Sequence, residues 1–183
     1  AAAVQALLAH ENGALSATTA FGNTVVAAKI IAERRVNALV LVHTRHLLEQ
    51  WQARLNQFLE ISANSHTTKS KKRRRDSIIG QIGGGKNNPG GTIDIAIMQS
   101  LVSGDEVKEC VRNYGLVIVD ECHHVPAFSF ERILRTVAAK NVYGLTATPV
   151  RQDGHHPIIF MQCGPVRFRV DAREQASSRP FDH

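Results

Sequence analysis

Short apolar runs alternate along this chain with segments of helical period, and that alternation limits the possible folds more than any other feature of the sequence. Three of the runs are residues 38–43 (ALVLVH), 92–98 (TIDIAIM) and 116–119 (LVIV). Runs that are apolar at nearly every position are typical of strands buried on both faces, which occur in parallel sheets covered by helices. The sequence therefore predicts an α/β fold, a three-layer αβα sandwich with a mainly parallel sheet.

The predicted elements follow this alternation. Strands are predicted at residues 13–17, 38–43, 92–98, 116–119 and 142–146, with two further short strands at 157–161 and 166–170. Helices are predicted at residues 4–10, 24–35, 45–59, 105–112 and 128–139. Residues 62–91 show neither period, so we predict a loose loop there with a tight turn at 83–86.

The positive charge is confined to one segment. The formal net charge is +6, and residues 69–75 alone carry six lysines and arginines, so the remainder of the chain is close to neutral. This basic run could contact phosphates, direct nuclear import or form a solvated loop. No apolar run approaches the roughly 20 residues that cross a bilayer, and the first residues carry no secretory signal. We therefore expect no membrane partner and a cytoplasmic location, or a nuclear one in a eukaryote.

Residue types that bind metals occur without the spacing of a zinc site. Cys110, Cys122 and Cys163 form no CxxC pair, and their odd number argues against a disulfide framework. The histidine pairs at 123–124 and 155–156 are adjacent in sequence, so their side chains diverge. We expect buried or half-buried thiols in a reducing compartment and no structural zinc.

The loop after the first predicted strand has the context of a phosphate-binding loop. Residues 17–24 (ATTAFGNT) connect a strand to a helix, so backbone N–H groups and the helix N-terminus would form an anion cradle. The Thr24 hydroxyl is its candidate Mg²⁺ ligand. The alternative is an ordinary strand–turn–helix connection. The candidate nucleotide contacts are Thr19, Ala20, Phe21, Gly22, Asn23, Thr24 and Val25.

Two carboxylates follow the predicted strand LVIV directly. Asp120 and Glu121 crowd two negative charges at one strand end, and a divalent cation would relieve their repulsion. We expect Asp120 to hold Mg²⁺ through water and Glu121 to orient and deprotonate an attacking water. The alternative is a solvated turn that caps the next helix. We also expect this pair and residues 17–24 to leave neighbouring strands at the same edge of the sheet.

Polar residues follow the other predicted strands as well. Thr146 and Thr148 (in TATP) would hydrogen-bond the acidic pair, or would form a plain turn closed by proline. Other residues at these positions could contact backbone phosphates, or could serve as routine helix caps. These candidate nucleic-acid contacts are Thr44, Arg45, Gln99, Ser100 and, in the predicted tight turn, Lys86.

In this order the loops resemble the motifs of superfamily 2 helicases, with the DECH sequence at 120–123 as the most specific of them. The similarity is greatest to the helicase subunits of type III restriction enzymes and to repair-type DNA translocases. It implies a RecA-like P-loop NTPase fold, ATP and Mg²⁺ as cofactors, and nucleic acid, DNA in these relatives, as partner.

The resemblance also implies residue roles. It makes Asp120 the acid linked to Mg²⁺, Glu121 the catalytic base, and His123 a coupling residue that bonds to the third motif at 146–148. Motif I is residues 17–24, and the nucleic-acid motifs Ia and Ib fall at 42–50 and 96–101.

Motif I departs from the family pattern Gly-x-Gly-Lys-Thr at two positions. Ala20 stands where the family has a glycine, and Asn23 stands where it has the lysine that neutralises the β- and γ-phosphates. The sequence therefore predicts a helicase or translocase motor in which ATP hydrolysis is weak or absent. The alternative is a decayed domain that binds nucleic acid or partner proteins as a scaffold.

The family places ATP between two RecA-like domains, of which the second supplies arginine fingers. We expect residues 1–150 to be the first of these domains, with the basic loop at 62–91 as an insertion. Residues 151–183 would be an extension toward the second domain, in a longer parent chain. An isolated first domain is not expected to unwind DNA.

Overall fold

The computed structural model describes residues 2–17, 22–64, 78–122, 127–147 and 163–170. The helices are α1 (Ala2–Leu8), α2 (Asn23–Arg34), α3 (Arg45–Asn64) and α4 (Ala127–Thr136), and two 3₁₀ turns lie at Met98–Ser100 and Glu109–Asn113. The strands are β1 (Asn12–Ser16), β2 (Ala38–Val42), β3 (Ile79–Gly83), β4 (Lys86–Asn88), β5 (Ile93–Ile97), β6 (Val102–Ser103), β7 (Glu106–Val107), β8 (Leu116–Val119), β9 (Asn141–Thr146) and β10 (Val166–Arg169).

Eight of these strands form one sheet in the order β10-β1-β9-β8-β2-β5-β3-β4. Neighbouring strands in the sheet are parallel, with one exception. β3 and β4, the two outermost strands on one side of the sheet, form an antiparallel hairpin. The predicted α/β class and mainly parallel sheet are therefore confirmed. The five strands predicted from the apolar runs form its contiguous middle, β1-β9-β8-β2-β5.

The sheet separates two hydrophobic cores, because successive side chains of a strand point to opposite faces. In β8, Leu116 and Ile118 belong to the core that contains α1, α2 and α3, whereas Val117 and Val119 belong to the core that contains α4. All four side chains are fully buried, so the strand has no polar alternation and appears in the sequence as a continuous apolar run. The described residues thus form three layers, with helices on both faces of the sheet.

The predicted loose loop over 62–91 was wrong for its second half. β3 pairs in parallel with β5, and β4 returns antiparallel to β3 through Gly84 and Gly85. Both glycines have positive φ, +62° and +89°, as a two-residue type I′ turn requires, so the predicted tight turn is confirmed. The sequence of β3, IGQIG, is too rich in glycine to show a strand pattern. The basic run at 69–75 lies outside the described residues.

The helix predicted at 105–112 was also wrong. Val102 pairs with Val107 in the short hairpin β6–β7, which turns at Gly104 (φ +56°) and is followed by the second 3₁₀ turn. Val107 and Val111 are four residues apart, a spacing that imitates one face of a helix. In the fold, one of them pairs across the hairpin and the other packs in the core beside α4.

The strand predicted at 166–170 is confirmed as β10, which joins the sheet beside β1. This part of the predicted extension therefore packs on the same sheet as the rest, and the domain boundary drawn at residue 150 stays a prediction. The strand predicted at 157–161 lies outside the described residues. Among the helices that the structure describes, none is long and apolar enough to cross a membrane.

A buried carboxylate holds one side of the sheet together. Asp94 in β5 is fully buried and accepts hydrogen bonds from Gly90 N at Oδ1 (2.7 Å) and from Gly91 N at Oδ2 (2.8 Å). The Tyr114 hydroxyl also donates to Oδ2, and burial together with this bond raises the pKa of Tyr114 well above its ordinary value. Asp94 thereby fixes the turn between β4 and β5.

We predict that Asp94→Asn lowers the free energy of unfolding by about 1–3 kcal/mol. Each carboxylate oxygen accepts a backbone N–H, so the amide nitrogen of asparagine would face a donor at either position. Urea denaturation followed by circular dichroism measures the loss. The control is Asp105→Asn, because the Asp105 side chain is 96% exposed. Equal denaturation midpoints for the two variants would contradict the prediction.

Candidate nucleotide and nucleic-acid site

The carboxyl ends of the parallel strands lie at one edge of the sheet. The loop to α2 leaves this edge from β1, Asp120 and Glu121 leave it from β8, and Thr146 ends β9. β9 pairs with both β1 and β8 and therefore lies between them. The expectation that the two loops leave neighbouring strands was wrong by one strand, because the sequence gives the order of strands along the chain and not across the sheet. Two strand spacings separate the tips by roughly 10 Å.

Gly22, the N-cap residue that precedes α2, has a conformation that glycine adopts readily and other residues rarely do. Its φ is +84° and its ψ is +47°, and its carbonyl accepts hydrogen bonds from Val25 N (2.8 Å) and Val26 N (3.2 Å). Gly22 provides no side-chain cap, so the first N–H groups of α2 are available to an anion. Thr24 is half-buried there and Val25 is exposed. The predicted contacts of Thr19, Ala20 and Phe21 lie outside the described residues.

Asn23 turns its amide back toward β1. Nδ2 donates to Ala17 O at 3.5 Å, which is long for a hydrogen bond. Oδ1 is buried and has no hydrogen-bond partner among the residues that the structure describes. A buried acceptor left unpaired costs about 1–3 kcal/mol, so the described residues alone satisfy this side chain poorly.

Asp120 is a buried carboxylate at the end of β8, with 9% of its surface exposed. Trp51 Nε1, from α3, donates to Oδ2 at 2.6 Å, and Glu121 N donates to Oδ1 at 3.0 Å. Burial raises the pKa of Asp120; the Trp51 hydrogen bond and nearby His43 oppose this rise, and the charge of Glu121 adds to it. The alternative of a solvated turn does not describe a side chain this buried.

Glu121 adopts a left-handed backbone conformation, with φ +48°. Residues other than glycine, asparagine and aspartate rarely have positive φ, and such a conformation costs of order 1–3 kcal/mol. Strain of this kind persists only where the surrounding structure enforces it, and it is concentrated at functional sites. The residue that the sequence nominated as catalytic base thus has an unusual backbone conformation, as has Arg35 at the end of α2 (φ +52°), and its catalytic role stays a prediction.

Thr146 lies between the two loops. It is buried at the end of β9, and its carbonyl accepts a hydrogen bond from Ala17 N at 3.0 Å, which ties the ends of β9 and β1 together. Its predicted bond to the acidic pair stays a prediction. His123 and Thr148, the other coupling candidates, lie outside the described residues.

The nucleic-acid candidates lie at the ends of three adjacent strands, β2, β5 and β3. Thr44 is the N-cap of α3: its Oγ1 accepts a hydrogen bond from Leu47 N at 3.2 Å, so the alternative of a helix cap is confirmed for it. Arg45 makes an exposed ion pair with Glu49, 2.9 Å between Nε and Oε1. Exposed pairs of this type are weak, so the guanidinium can exchange its partner for a phosphate.

The β3–β4 hairpin packs against the same region. A Cβ at Gly83 would lie 2.5 Å from Ser100 Oγ, and one at Gly84 would lie 3.6 Å from Arg45 Cγ. Glycine at position 83 is therefore needed for this close approach. Gln99 is exposed at the end of β5, as is Lys86 at the start of β4. We call the surface made by Thr44, Arg45, Gln99, Ser100 and Lys86 the strand-end surface.

Two further residues belong to the site although the sequence assigned them no role. Trp51 lies 69 positions before Asp120, and its spacing from other apolar residues indicated only the buried face of α3. His43 ends the predicted strand 38–43, and its charge lowers the pKa of Asp120. The position of His43 at a strand end could have identified it. No signal in the sequence identifies Trp51.

Residues 2–151 match the family model described as type III restriction enzyme, res subunit. The chain belongs to this family. This chain is 31% identical over 176 residues to the DNA 3'-5' translocase XPB2 of Sulfurisphaera tokodaii. The alignment covers 96% of this chain and 36% of XPB2. It is 27% identical over 160 residues to subunit XPB of the general transcription and DNA repair factor IIH of Encephalitozoon cuniculi, covering 82% of this chain and 22% of that protein. The chain thus spans about a third or less of these relatives.

Solved structures of other proteins share the fold of this chain. The UvsW helicase of bacteriophage T4 matches with a TM-score of 0.70 at 18% identity, over 91% of this chain and 57% of that one. A hypothetical ATP-dependent RNA helicase from Sulfolobus tokodaii matches with a TM-score of 0.68 at 18% identity, over 95% and 52%. The family match and these folds confirm the resemblance to the first RecA-like domain of superfamily 2 helicases.

The site at the carboxyl ends of β1, β9 and β8 fits a magnesium ion better than it fits a triphosphate. Each oxygen of Asp120 accepts one hydrogen bond and keeps a further acceptor site, and Mg²⁺ prefers such oxygen ligands. Mg²⁺ keeps several waters, so Asp120 and the Thr24 hydroxyl suffice beside substrate phosphates. Within the described ranges, no group of three or more histidine, cysteine, aspartate or glutamate side chains could hold a metal. On the phosphate side, Asn23 contributes no positive charge.

We predict that Cys122, which follows Glu121, and Cys163 resist alkylation at pH 8 in the folded protein, whereas the half-buried Cys110 reacts first. Burial raises the pKa of Cys122 to about 12 and that of Cys163 well above its ordinary value. A raised pKa lowers the fraction of reactive thiolate, to roughly one part in 10,000 for Cys122 at pH 8. Iodoacetamide labelling with peptide mapping measures the order.

Labelling of the buried thiols should accelerate as the pH rises from 7 toward 10, because the thiolate fraction increases. In urea all three cysteines should react at similar rates, which is the control for intrinsic reactivity. Cys122 labelled as fast as Cys110 in the folded protein would show that the thiol is not buried as described.

Proposed function

We propose that this domain binds Mg²⁺–ATP where β1, β9 and β8 end and a DNA strand at the strand-end surface, as the first motor domain of a DNA helicase or translocase. The observation that carries the proposal is the buried Asp120 carboxylate beside the strained Glu121, at the same edge as the N-terminus of α2. A gap of roughly two strand spacings suits a triphosphate that reaches from the helix N-terminus toward the acidic pair.

Each polar group at this edge has a role in the proposal. Asp120, through water, and the Thr24 hydroxyl hold the cation, and the first N–H groups of α2 bind phosphate oxygens. Glu121 orients the attacking water and accepts its proton. Bound Mg²⁺ neutralises charge on the phosphoryl oxygens. Thr146, Thr148 and His123 couple the state of the nucleotide to the grip on nucleic acid.

Hydrolysis in this domain is proposed to be weak, because Asn23 leaves the phosphates without the cationic side chain of motif I. Loss of one preorganised charge on a transferring phosphoryl group costs roughly 3–4 kcal/mol in the transition state, or about 100- to 1,000-fold in rate. Binding of the nucleotide in its ground state weakens less, since the backbone N–H groups of α2 remain.

DNA is the proposed partner because XPB2 is described as a DNA 3'-5' translocase. Contacts to the phosphate backbone give affinity without sequence preference, which suits a motor that moves along its substrate. A second RecA-like domain is the other proposed partner, because the alignment covers only 36% of XPB2. That domain would complete the ATP site and supply arginine fingers.

A second candidate function is a scaffold that binds nucleic acid without hydrolysis. The observation in its favour is the Asn23 amide, which donates to Ala17 O instead of presenting a positive charge to the cradle. Micromolar affinity for Mg²⁺–ATP would support the motor domain, and absence of binding at millimolar ATP would support the scaffold.

We predict that, in a chain that also carries the proposed second RecA-like domain, Asn23→Lys raises phosphate release from ATP in the presence of DNA by about 100- to 1,000-fold, because it restores the missing charge. A coupled phosphate assay measures the rate. The double variant Asn23→Lys with Glu121→Gln is the control, and it should lose the gain because it lacks the base. Equal rates for the unsubstituted chain and Asn23→Lys would refute the impaired-hydrolysis proposal.

We predict that Arg45→Ala and Lys86→Ala each weaken binding to single-stranded DNA and reduce the slope of log affinity against log salt by about 0.7. Fluorescence anisotropy at several salt concentrations measures both quantities. The matched control is Lys140→Ala, which removes an exposed charge just before β9, at the opposite edge of the sheet. If all three variants lose the same affinity, the strand-end surface is not the binding site.

A further inference from the structure

Trp51 is the one tryptophan of the sequence, and it lies on the buried face of α3. Leu48, Trp51 and Leu55 are spaced by three and four residues and pack in the same core. An apolar side chain would satisfy this packing alone. The indole also carries an N–H donor, which has to find an acceptor when it is buried.

That acceptor is Asp120. The distance of 2.6 Å between Trp51 Nε1 and Asp120 Oδ2 is short for an N–H donor, as expected when the acceptor is charged. The second oxygen accepts the N–H of Glu121 at 3.0 Å. One donor comes from α3 and the other from the turn after β8, so the carboxylate is held from two sides and cannot rotate without breaking a bond.

This arrangement leaves defined positions for a cation. Each carboxylate oxygen has two acceptor sites, and one on each oxygen is already used. The remaining sites point away from the two donors, and their direction is set by the indole and the backbone together. Partners that orient a ligand side chain in this way usually matter almost as much as the ligand itself.

We propose that Trp51 is a positioning residue of the magnesium site: its indole N–H fixes the Asp120 carboxylate in the orientation in which the oxygens meet the cation. The inference rests on the proposed function, in which Asp120 holds Mg²⁺. Trp51 touches neither nucleotide nor cation and acts through Asp120.

The test compares Trp51→Phe, which keeps an aromatic ring but lacks the N–H, with Tyr114→Phe. The second variant is the matched control, because it also removes a buried hydrogen bond to an aspartate, Asp94, away from the site. Binding of a fluorescent ATP analogue is measured with Mg²⁺ and with EDTA. Trp51→Phe should weaken Mg²⁺-dependent binding about 10-fold and leave binding in EDTA unchanged. Tyr114→Phe should change neither.

A role in packing alone would lower stability in both variants and leave the Mg²⁺ dependence intact, which would overturn the proposal. Should Trp51→Phe fail to fold, replacement of Trp51 by benzothienylalanine keeps the shape of the indole and removes only the N–H. The same 10-fold loss is expected for it, and unchanged Mg²⁺ dependence overturns the proposal equally.

The indole N–H signal in a ¹⁵N-correlated spectrum gives a readout independent of nucleotide turnover. With one tryptophan the signal is assigned without ambiguity. It should shift when Mg²⁺ and a non-hydrolysable ATP analogue are added, and Asp120→Asn should abolish that shift. An indole N–H signal whose position changes neither on addition of Mg²⁺ nor in the Asp120→Asn variant would contradict the proposal. Absence of any Mg²⁺-dependent nucleotide binding by the unsubstituted chain would instead overturn the proposed function itself.

Discussion

The candidate site is built around a buried carboxylate at the end of an apolar strand. Asp120 is held out of water by the layers on both sides of β8, so its charge is costly unless donors or a cation compensate. The protein supplies two N–H donors, from Trp51 and Glu121, and these compensate in part, since the pKa of Asp120 stays raised. The parallel sheet places the N-terminus of α2 at the same edge as this carboxylate.

The sequence predicted the middle of the sheet because those strands are buried on both faces, and such strands need apolar residues at nearly every position. The prediction from sequence was wrong for the elements whose conformation depends on glycine backbone geometry, because these elements show no strand pattern in their side chains. β3 consists of glycine, glutamine and isoleucine, and its pairing with β5 depends on Gly80, where a Cβ would lie 1.9 Å from Asp94 Oδ1. The β6–β7 hairpin turns on one positive φ at Gly104, which an apparent helical spacing of valines concealed.

The sequence identified several candidate residues of the site, but it could not show which residues lie next to each other in the fold. Asp120, Glu121 and Thr24 stand out by their position after strands, where ligands of parallel sheets bind. The order of strands across the sheet, with β9 between the two loops, is a property of the fold that no local pattern encodes. The same holds for the contact of Trp51 with Asp120, whose partners are 69 residues apart.

Helix α3 connects the two halves of this edge. Its first residue, Arg45, belongs to the strand-end surface, and Trp51, six residues or roughly 9 Å further along the axis, holds Asp120. A helix moves nearly as a rigid body, whereas a hydrogen bond of 2.6 Å weakens within a few tenths of an ångström. One helix carries a residue of the strand-end surface at its start and, on its buried face, the donor that holds Asp120. Under the proposed function, the DNA contact and the magnesium site would share this helix.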